Sequence, residues 1–309
     1  MKTSRRHFVK ATLGASAALS FSPFPLSASD FLMQNIILKP IPSSGEKIPV
    51  VGIGTSRRYD VGTSEEERSP LREVLSTFSQ MGGKVIDTAS SYGNAEIVTG
   101  DLVSEIGNRK NLFFATKIRQ EEKEAGIVEM ERSFQRLKTE TIDLMQIHNL
   151  RGFDNVMPVV REWREAGRIR YVGASTSNQR QHADFAAVMK REDMDFIQVN
   201  YSLSDRVAAD TILPLAADRG MAVLVNLPYG RGRLFDAVGD RKLPEWAADF
   251  DIKSWGQFFL KYIVSHPAVT CTIPGTAKPK YLADNFGASM GTLPDTATRK
   301  KMEQLFDSL

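Results

Sequence analysis

The chain has 309 residues, of which 42% are hydrophobic and 25% charged, a balance that excludes a disordered chain and fits a globular one. Four basic residues near the N-terminus, Lys2, Arg5, Arg6 and Lys10, carry its formal excess of +3; removing them from 40 basic and 37 acidic residues leaves 36 against 37. No basic stripe remains to recruit a nucleic acid, and a single cysteine, Cys271, excludes an intramolecular disulfide.

Residues 1–28 read as an export leader. A basic segment, SRRHFVK, precedes a mildly apolar run, ATLGASAALSFSPFPL, and a small-residue exit, SASD. Arg5-Arg6 followed by Phe8 and Lys10 resembles the twin-arginine motif of bacteria. That resemblance implies passage through the twin-arginine translocation machinery to the periplasm. The apolar run is short and rich in Ala, Ser and Gly, so no stable membrane anchor is expected. Cleavage after Ala28 would leave residues 29–309, a single domain near the ~250 residues typical of one α/β barrel.

Beyond the leader, Ile36–Lys39 and Glu46–Pro49 flank Pro40–Gly45 and read as a hairpin, placed to plug a barrel bottom. Eight candidate strands follow: Val50–Gly54, Lys84–Asp87, Leu112–Lys117, Ile142–Ile147, Ile169–Ala174, Phe196–Asn200, Ala222–Asn226 and Val269–Ile273. Helices are expected at Glu66–Met81, Ala95–Ile106, Ile127–Leu137, Val156–Ala166, Arg180–Met189, Ala209–Asp218, Ser254–Ser265 and Lys280–Ala288. Glycines close several helices, as in Met81-Gly82-Gly83 and Arg219-Gly220. Strict alternation with short connectors argues for a closed (β/α)8 TIM barrel over an open sheet. Thr296–Asp307 adds a C-terminal amphipathic helix.

Four polar residues sit where a barrel of this kind places its chemistry, at the carboxyl ends of strands. Asp87, Lys117 and His148 end three successive runs, and Tyr92 lies just past the first. Reducing a carbonyl needs hydride at carbon and a proton at oxygen. Tyr92 is the expected proton donor. A free phenol ionises near ~10, and a nearby ammonium stabilises the phenolate. Lys117 would supply that charge, Asp87 would hold Lys117, and His148 would donate to the substrate oxygen. Singly, each has a plainer explanation: a packing tyrosine, a helix-capping aspartate, a structural histidine. Their joint order makes the proton-transfer reading. No His, Cys and carboxylate spacing suggests a metal, so a metal-dependent hydrolase barrel is disfavoured.

The pattern DTASSYGNAE, then FFATK, then DLMQIH resembles the aldo-keto reductase superfamily. GIGT, IRYVGAST, FIQVNYS, LPYGRGRLF and IPGTAKPKYLADNFGA extend the resemblance over about residues 35–290. It implies a nicotinamide dinucleotide, NADP(H) ahead of NAD(H), and a small carbonyl substrate. The implied cofactor residues are Thr55 and Asp87 at the nicotinamide end, Ser175 and Gln198 at the carboxamide, and Asn226 and Pro228 after the seventh strand. Gly275, Thr276, Ala277 and Lys278 would meet the phosphates, and Asp284 and Asn285 the adenine. An alternative within the same resemblance is a dinucleotide-binding barrel with little turnover, acting as a binding or regulatory protein.

The sequence departs from the family at three positions. Thr176 stands where Asn is common, Asn226 where an aromatic ring often stacks on the nicotinamide, and Tyr281 where Arg or Gln often meets the adenosine phosphate. Tyr229 is a candidate to stack instead. Pro228–Lys253 is long enough to cover the site, and Arg57, Arg58 and Tyr59 are expected at its mouth.

Overall fold

A computed structural model of the protein describes residues 36–309; the leader and its cleavage position lie outside the described residues. The short apolar runs become ten strands. A hairpin of β1 (Leu38–Pro40) and β2 (Lys47–Pro49) precedes β3 (Ile53–Gly54), β4 (Val85–Asp87), β5 (Phe113–Ile118) and β6 (Ile142–His148). Then come β7 (Ile169–Ser175), β8 (Phe196–Asn200), β9 (Ala222–Asn226) and β10 (Cys271–Thr272). Strands β3 to β10 pair in chain order, all parallel. Parallel bridges from Val51 to Thr272 and from Gly54 to Gly275 close the sheet into a barrel.

Eight helices follow the eight barrel strands: α1 (Glu65–Gln80), α2 (Ala95–Ile106), α3 (Lys123–Leu137), α4 (Phe153–Glu165), α5 (His182–Arg191), α6 (Ile212–Asp218), α8 (Trp255–Val264) and α9 (Pro279–Gly287). A short α7 (Arg233–Val238) interrupts the connection from β9 to α8, and α10 (Thr296–Asp307) ends the chain. Helix α1 starts at an N-cap: Ser64 Oγ accepts from the Glu67 N–H and donates to the Glu67 carboxylate. Helix α3 begins four residues before the expected Ile127, because its first turn, Lys123–Gly126, carries no apolar stripe to read. An added Cβ at Gly126 would lie 3.0 Å from Val156, so that turn packs closely on α4. Helix α6 is shorter than expected, its first turn being a separate 3-10 turn at Val207–Ala209.

Strand alternation sorts the side chains into two cores. On β5, Phe113 and Ala115 point into the barrel, and Phe114 points out to the helices. The inward set is a layer of Val85, Phe113, Leu144, Tyr171, Phe196 and Cys271, joined by Ile41 and Ile48 of the hairpin region. The rings of Phe113, Tyr171 and Phe196 lie 5.6–5.9 Å apart. Tyr171 Oη donates to Glu46 at 2.7 Å and lies 2.7 Å from Ser44 Oγ, so the hairpin does plug the lower end. Burial pushes the Cys271 thiol well above its ordinary value. Among the described residues, no helix is long and apolar enough to cross a membrane.

Phe113→Ala should cost about 3–5 kcal/mol of unfolding free energy, because it empties the centre of this layer. Denaturant unfolding followed by fluorescence measures it. A loss below about 1 kcal/mol would mean that the layer is not close-packed.

Candidate active site

The lower barrel is apolar and the upper barrel is not. On β4, β5 and β6 the inward positions nearest the carboxyl ends are Asp87, Lys117, Gln146 and His148. Lys117 is 1% exposed. Its Nζ donates to Asp87 Oδ2 at 2.7 Å and to the Thr88 carbonyl at 2.7 Å. Burial works against the Lys117 charge, but the neighbouring Asp87 and Tyr92 outweigh it and hold the ammonium above its ordinary value. The same Nζ lies 5.3 Å from the Tyr92 ring centre. The structure therefore brings Asp87, Lys117 and Tyr92 together as the sequence suggested.

Tyr92 is placed by the loop between β4 and α2. Its N–H donates to the Ala89 carbonyl at 3.0 Å. Gly93 follows with φ +58, and a Cβ there would fall 2.1 Å from an Asp60 carboxylate oxygen. That carboxylate accepts the Asn94 N–H at 2.9 Å. Glycine after the tyrosine is thus required by backbone conformation and by the close approach of Asp60.

His148 is the last residue of β6, in register with Ser175 of β7. Its ring meets Tyr92 edge to face, with centres 5.8 Å apart. Burial, then the charges of Lys117 and Arg119, lower its pKa to about 3. The imidazole is neutral at physiological pH and carries one N–H. Ser91 Oγ lies 3.3 Å from Nδ1. We assign that hydroxyl as the donor, which leaves the N–H on Nε2 to point at a substrate oxygen. This arrangement can orient a carbonyl at His148 and protonate it from Tyr92, backed by the Lys117 ammonium.

The expected cofactor residues divide into open and engaged groups. Thr55 is fully buried, and both its N–H and its hydroxyl donate to the Asp87 carbonyl, at 2.9 and 3.1 Å. Gln198 accepts from Gln146 Nε2 at 2.9 Å and reaches Asp87 at 3.4 Å. Ser175 accepts the Asn149 N–H at 3.4 Å. Asp284 accepts from Ser254 at 2.8 Å and from Gln257 at 3.1 Å, tying α9 to α8. Asn285 accepts from Tyr229 Oη at 2.5 Å. Pro228 and Thr276 are buried, Ala277 is half-buried, and Gly275 and Lys278 are exposed at the start of α9. Thr276 Oγ1 accepts the Lys278 N–H at 3.3 Å, which shapes that turn.

Several loop residues lie elsewhere than the sequence suggested. Tyr59 is fully buried in the outer core and not at the mouth. Arg58 lies against the phosphate-side turn, its Cγ 3.7 Å from where a Gly275 Cβ would be. Tyr229 packs on Phe235 at 5.0 Å and Phe259 at 6.4 Å, so it anchors the long loop on α8 and leaves Asn226 without a stacking substitute. Thr176 donates to Gln181 at 2.8 Å and helps start α5. Sequence reasoning missed Gln146, although inward alternation through Leu144, Gln146 and His148 was readable. Among the described residues, no group of three or more His, Cys, Asp or Glu could hold a metal ion.

A nicotinamide nucleotide fits these residues. Asp87 Oδ1, Gln146 Oε1 and Asn226 Oδ1 are buried acceptors with no partner among the described residues, all at the upper end of the barrel. Such acceptors suit ribose hydroxyls and a carboxamide amine. When bound, the reduced ring supplies the hydride.

Residues 50–303 match the model of the aldo/keto reductase family. This chain belongs to that family. It is an NAD(P)H-dependent oxidoreductase. It is 27% identical to an aldo-keto reductase of Schizosaccharomyces pombe named for NADP(+), over 85% of this chain and 90% of that protein. It is 27% identical to the NADH-specific methylglyoxal reductase of Escherichia coli, over 51% of this chain and 56% of that protein. Its fold matches an aldo/keto reductase from Klebsiella pneumoniae, solved with NADP and acetate, at a TM-score of 0.72 and 23% identity, over 85% and 93% of the two chains.

Tyr92→Phe should lower carbonyl reduction at least ~10²-fold by removing the proton donor. Dinucleotide binding, read by quenching of protein fluorescence, should hardly change. Near-normal turnover by this variant would remove Tyr92 from the mechanism.

Proposed function

We propose that this protein is an exported reductase that uses NADP(H) to convert a small aldehyde or ketone to an alcohol in the periplasm. The observation that carries the chemistry is the buried Lys117–Asp87 pair beside Tyr92, with a neutral His148 facing the same ring. Support for NADP(H) comes from the turn at Gly275–Lys278, where Lys278 and Lys280 flank the exposed Tyr281 ring with Nζ 5.8 and 4.9 Å from its centre. The Schizosaccharomyces pombe relative is named for NADP(+), and the Klebsiella pneumoniae structure contains NADP. Lys278 then reads the extra phosphate that distinguishes NADPH from NADH.

Lys278→Ala should weaken NADPH by about 1 kcal/mol, the scale of an exposed ion pair, and weaken NADH less. Titration of both nucleotides tests it. Equal losses would assign the phosphate to another group.

Export rests on the leader, with Arg5-Arg6 as its twin-arginine pair. That route carries folded cargo, and the cofactor residues, from Thr55 to Asn285, converge only in the folded barrel. Dinucleotide present at 100 times its dissociation constant stabilises the fold by ~2.7 kcal/mol. Loading before export supplies a compartment without an obvious NADPH source. Arg5→Lys with Arg6→Lys should retain folded protein in the cytoplasm. Wild-type protein released by osmotic shock should carry near-stoichiometric dinucleotide by ligand mass spectrometry. Recovery of folded but empty protein from both compartments would defeat the loading step, and unimpaired export of the double variant would defeat the route.

A further inference from the structure

A polar groove of about 810 Å³ opens one residue beyond His148. Arg119, Glu121, Asn149, Arg151, Asp154 and Arg191 are among its lining. Two of its walls, the loop after β5 and the loop after β6, are fastened together, and α5 lines the rest. Gly152 adopts φ +64, and a Cβ there would sit 2.2 Å from the Gln120 carbonyl oxygen. Asn155 Nδ2 donates to the Glu121 carbonyl at 2.9 Å. Arg151 pairs with Glu121 at 3.0 Å, and Arg191 pairs with Asp154.

Arg119 differs from the other two arginines of the groove. Its backbone is held, the N–H donating to Glu129 Oε2 at 3.1 Å. Two residues earlier in the chain, the Lys117 carbonyl accepts from Ser90 Oγ at 2.9 Å. Yet the Arg119 guanidinium makes no hydrogen bond or ion pair among the described residues, and the side chain is exposed. It lies near enough to His148 to be one of the charges that keep the imidazole neutral. The other charges of the site are taken: Lys117 by Asp87, Arg151 by Glu121, Arg191 by Asp154. Arg58 stands across the mouth beside Gly275, on the phosphate side. Among the described residues, Asp184 is the acid in the groove without an ion pair, and it lines the groove with Val188 and Arg191 from α5.

Resting on the reductase reading above, we infer that Arg119 is a specificity-determining residue that anchors a carboxylate on the substrate, making the preferred substrates short oxo acids. A planar guanidinium held on a fixed backbone suits a bidentate carboxylate contact. The carbonyl end of such a substrate meets His148 Nε2 and Tyr92, while its charged end lies in the groove. Two anchors fix the distance between carbonyl and carboxylate, and so the position of the carbonyl carbon.

The test compares 4-oxobutanoate with its methyl ester, which keeps the length and removes the charge. Wild-type enzyme should favour the acid in kcat/KM by about tenfold or more, the scale of one charge-assisted contact. Arg119→Gln should raise KM for the acid by about tenfold, change kcat several-fold less than that, and affect the ester less than the acid. Arg119→Lys should recover part of the loss. Butanoate, which has the charge without the carbonyl, should compete with the ester in wild type and lose that effect in Arg119→Gln. Equal use of acid and ester by wild type, or equal damage to both in Arg119→Gln, overturns the carboxylate anchor while leaving the reductase reading intact. Turnover of neither compound nor of any neutral aldehyde defeats the reductase reading and this inference with it.

Discussion

Burying a lysine and an aspartate side by side in a barrel that is otherwise filled with apolar side chains sets the terms for everything above it. Lys117 and Asp87 have side chains 1% and 3% exposed, at a separation of 2.7 Å. Two charges taken out of water are tolerated only when their remaining donors and lone pairs find partners. The Thr88 carbonyl and Gln198 provide some of them, and Gln146 holds Gln198 in turn. Losing one member of such a pair typically costs about 3–5 kcal/mol, because the other charge is stranded. The pair therefore constrains the strands that carry it as firmly as it serves the chemistry. Thr55 adds a separate restraint, since its N–H and its hydroxyl both donate to the Asp87 main-chain carbonyl and join β3 to β4.

Along each inward strand face the character changes in a few residues. Phe113 and Ala115 give way to Lys117 on β5, Leu144 to Gln146 on β6, and Phe196 to Gln198 on β8. The apolar layer and the hairpin supply stability, and the polar layer is held rigid by standing on it. The same division explains how His148 stays neutral. It sits where burial and two cations act together, so it can donate a hydrogen bond without competing as an acid.

Much of this was readable in the chain because strands have a fixed period. Asp87, Lys117 and His148 ended apolar runs, and the carboxyl ends of parallel strands meet on one face of a barrel. The hairpin and its plugging role were readable from two short runs around a turn. Loop residues were not so legible. Tyr59 looked like a rim residue but is pulled fully into the outer core. Within α9, Asp284, which the resemblance matches to an adenine contact, also ties α9 to α8. Tyr229, a candidate to compensate by stacking elsewhere, packs on Phe235 and Phe259. Asp284 and Tyr229 each meet partners on or next to α8 that no local pattern encodes. The start of α3 was missed because the buried residue of its first turn is Gly126, which has no side chain to mark a face.

The lone thiol of Cys271 lies inside the barrel, fully buried and disfavoured as a thiolate. Reactivity of a thiol depends on the thiolate and on access to it, and both are withheld here. Cys271 is consequently a silent witness within the fold. It cannot bridge two copies while the barrel is closed, so oxidising surroundings form no disulfide between folded copies. A reagent that modifies it must wait for the strands to part, and the rate of modification then reports how often the barrel opens.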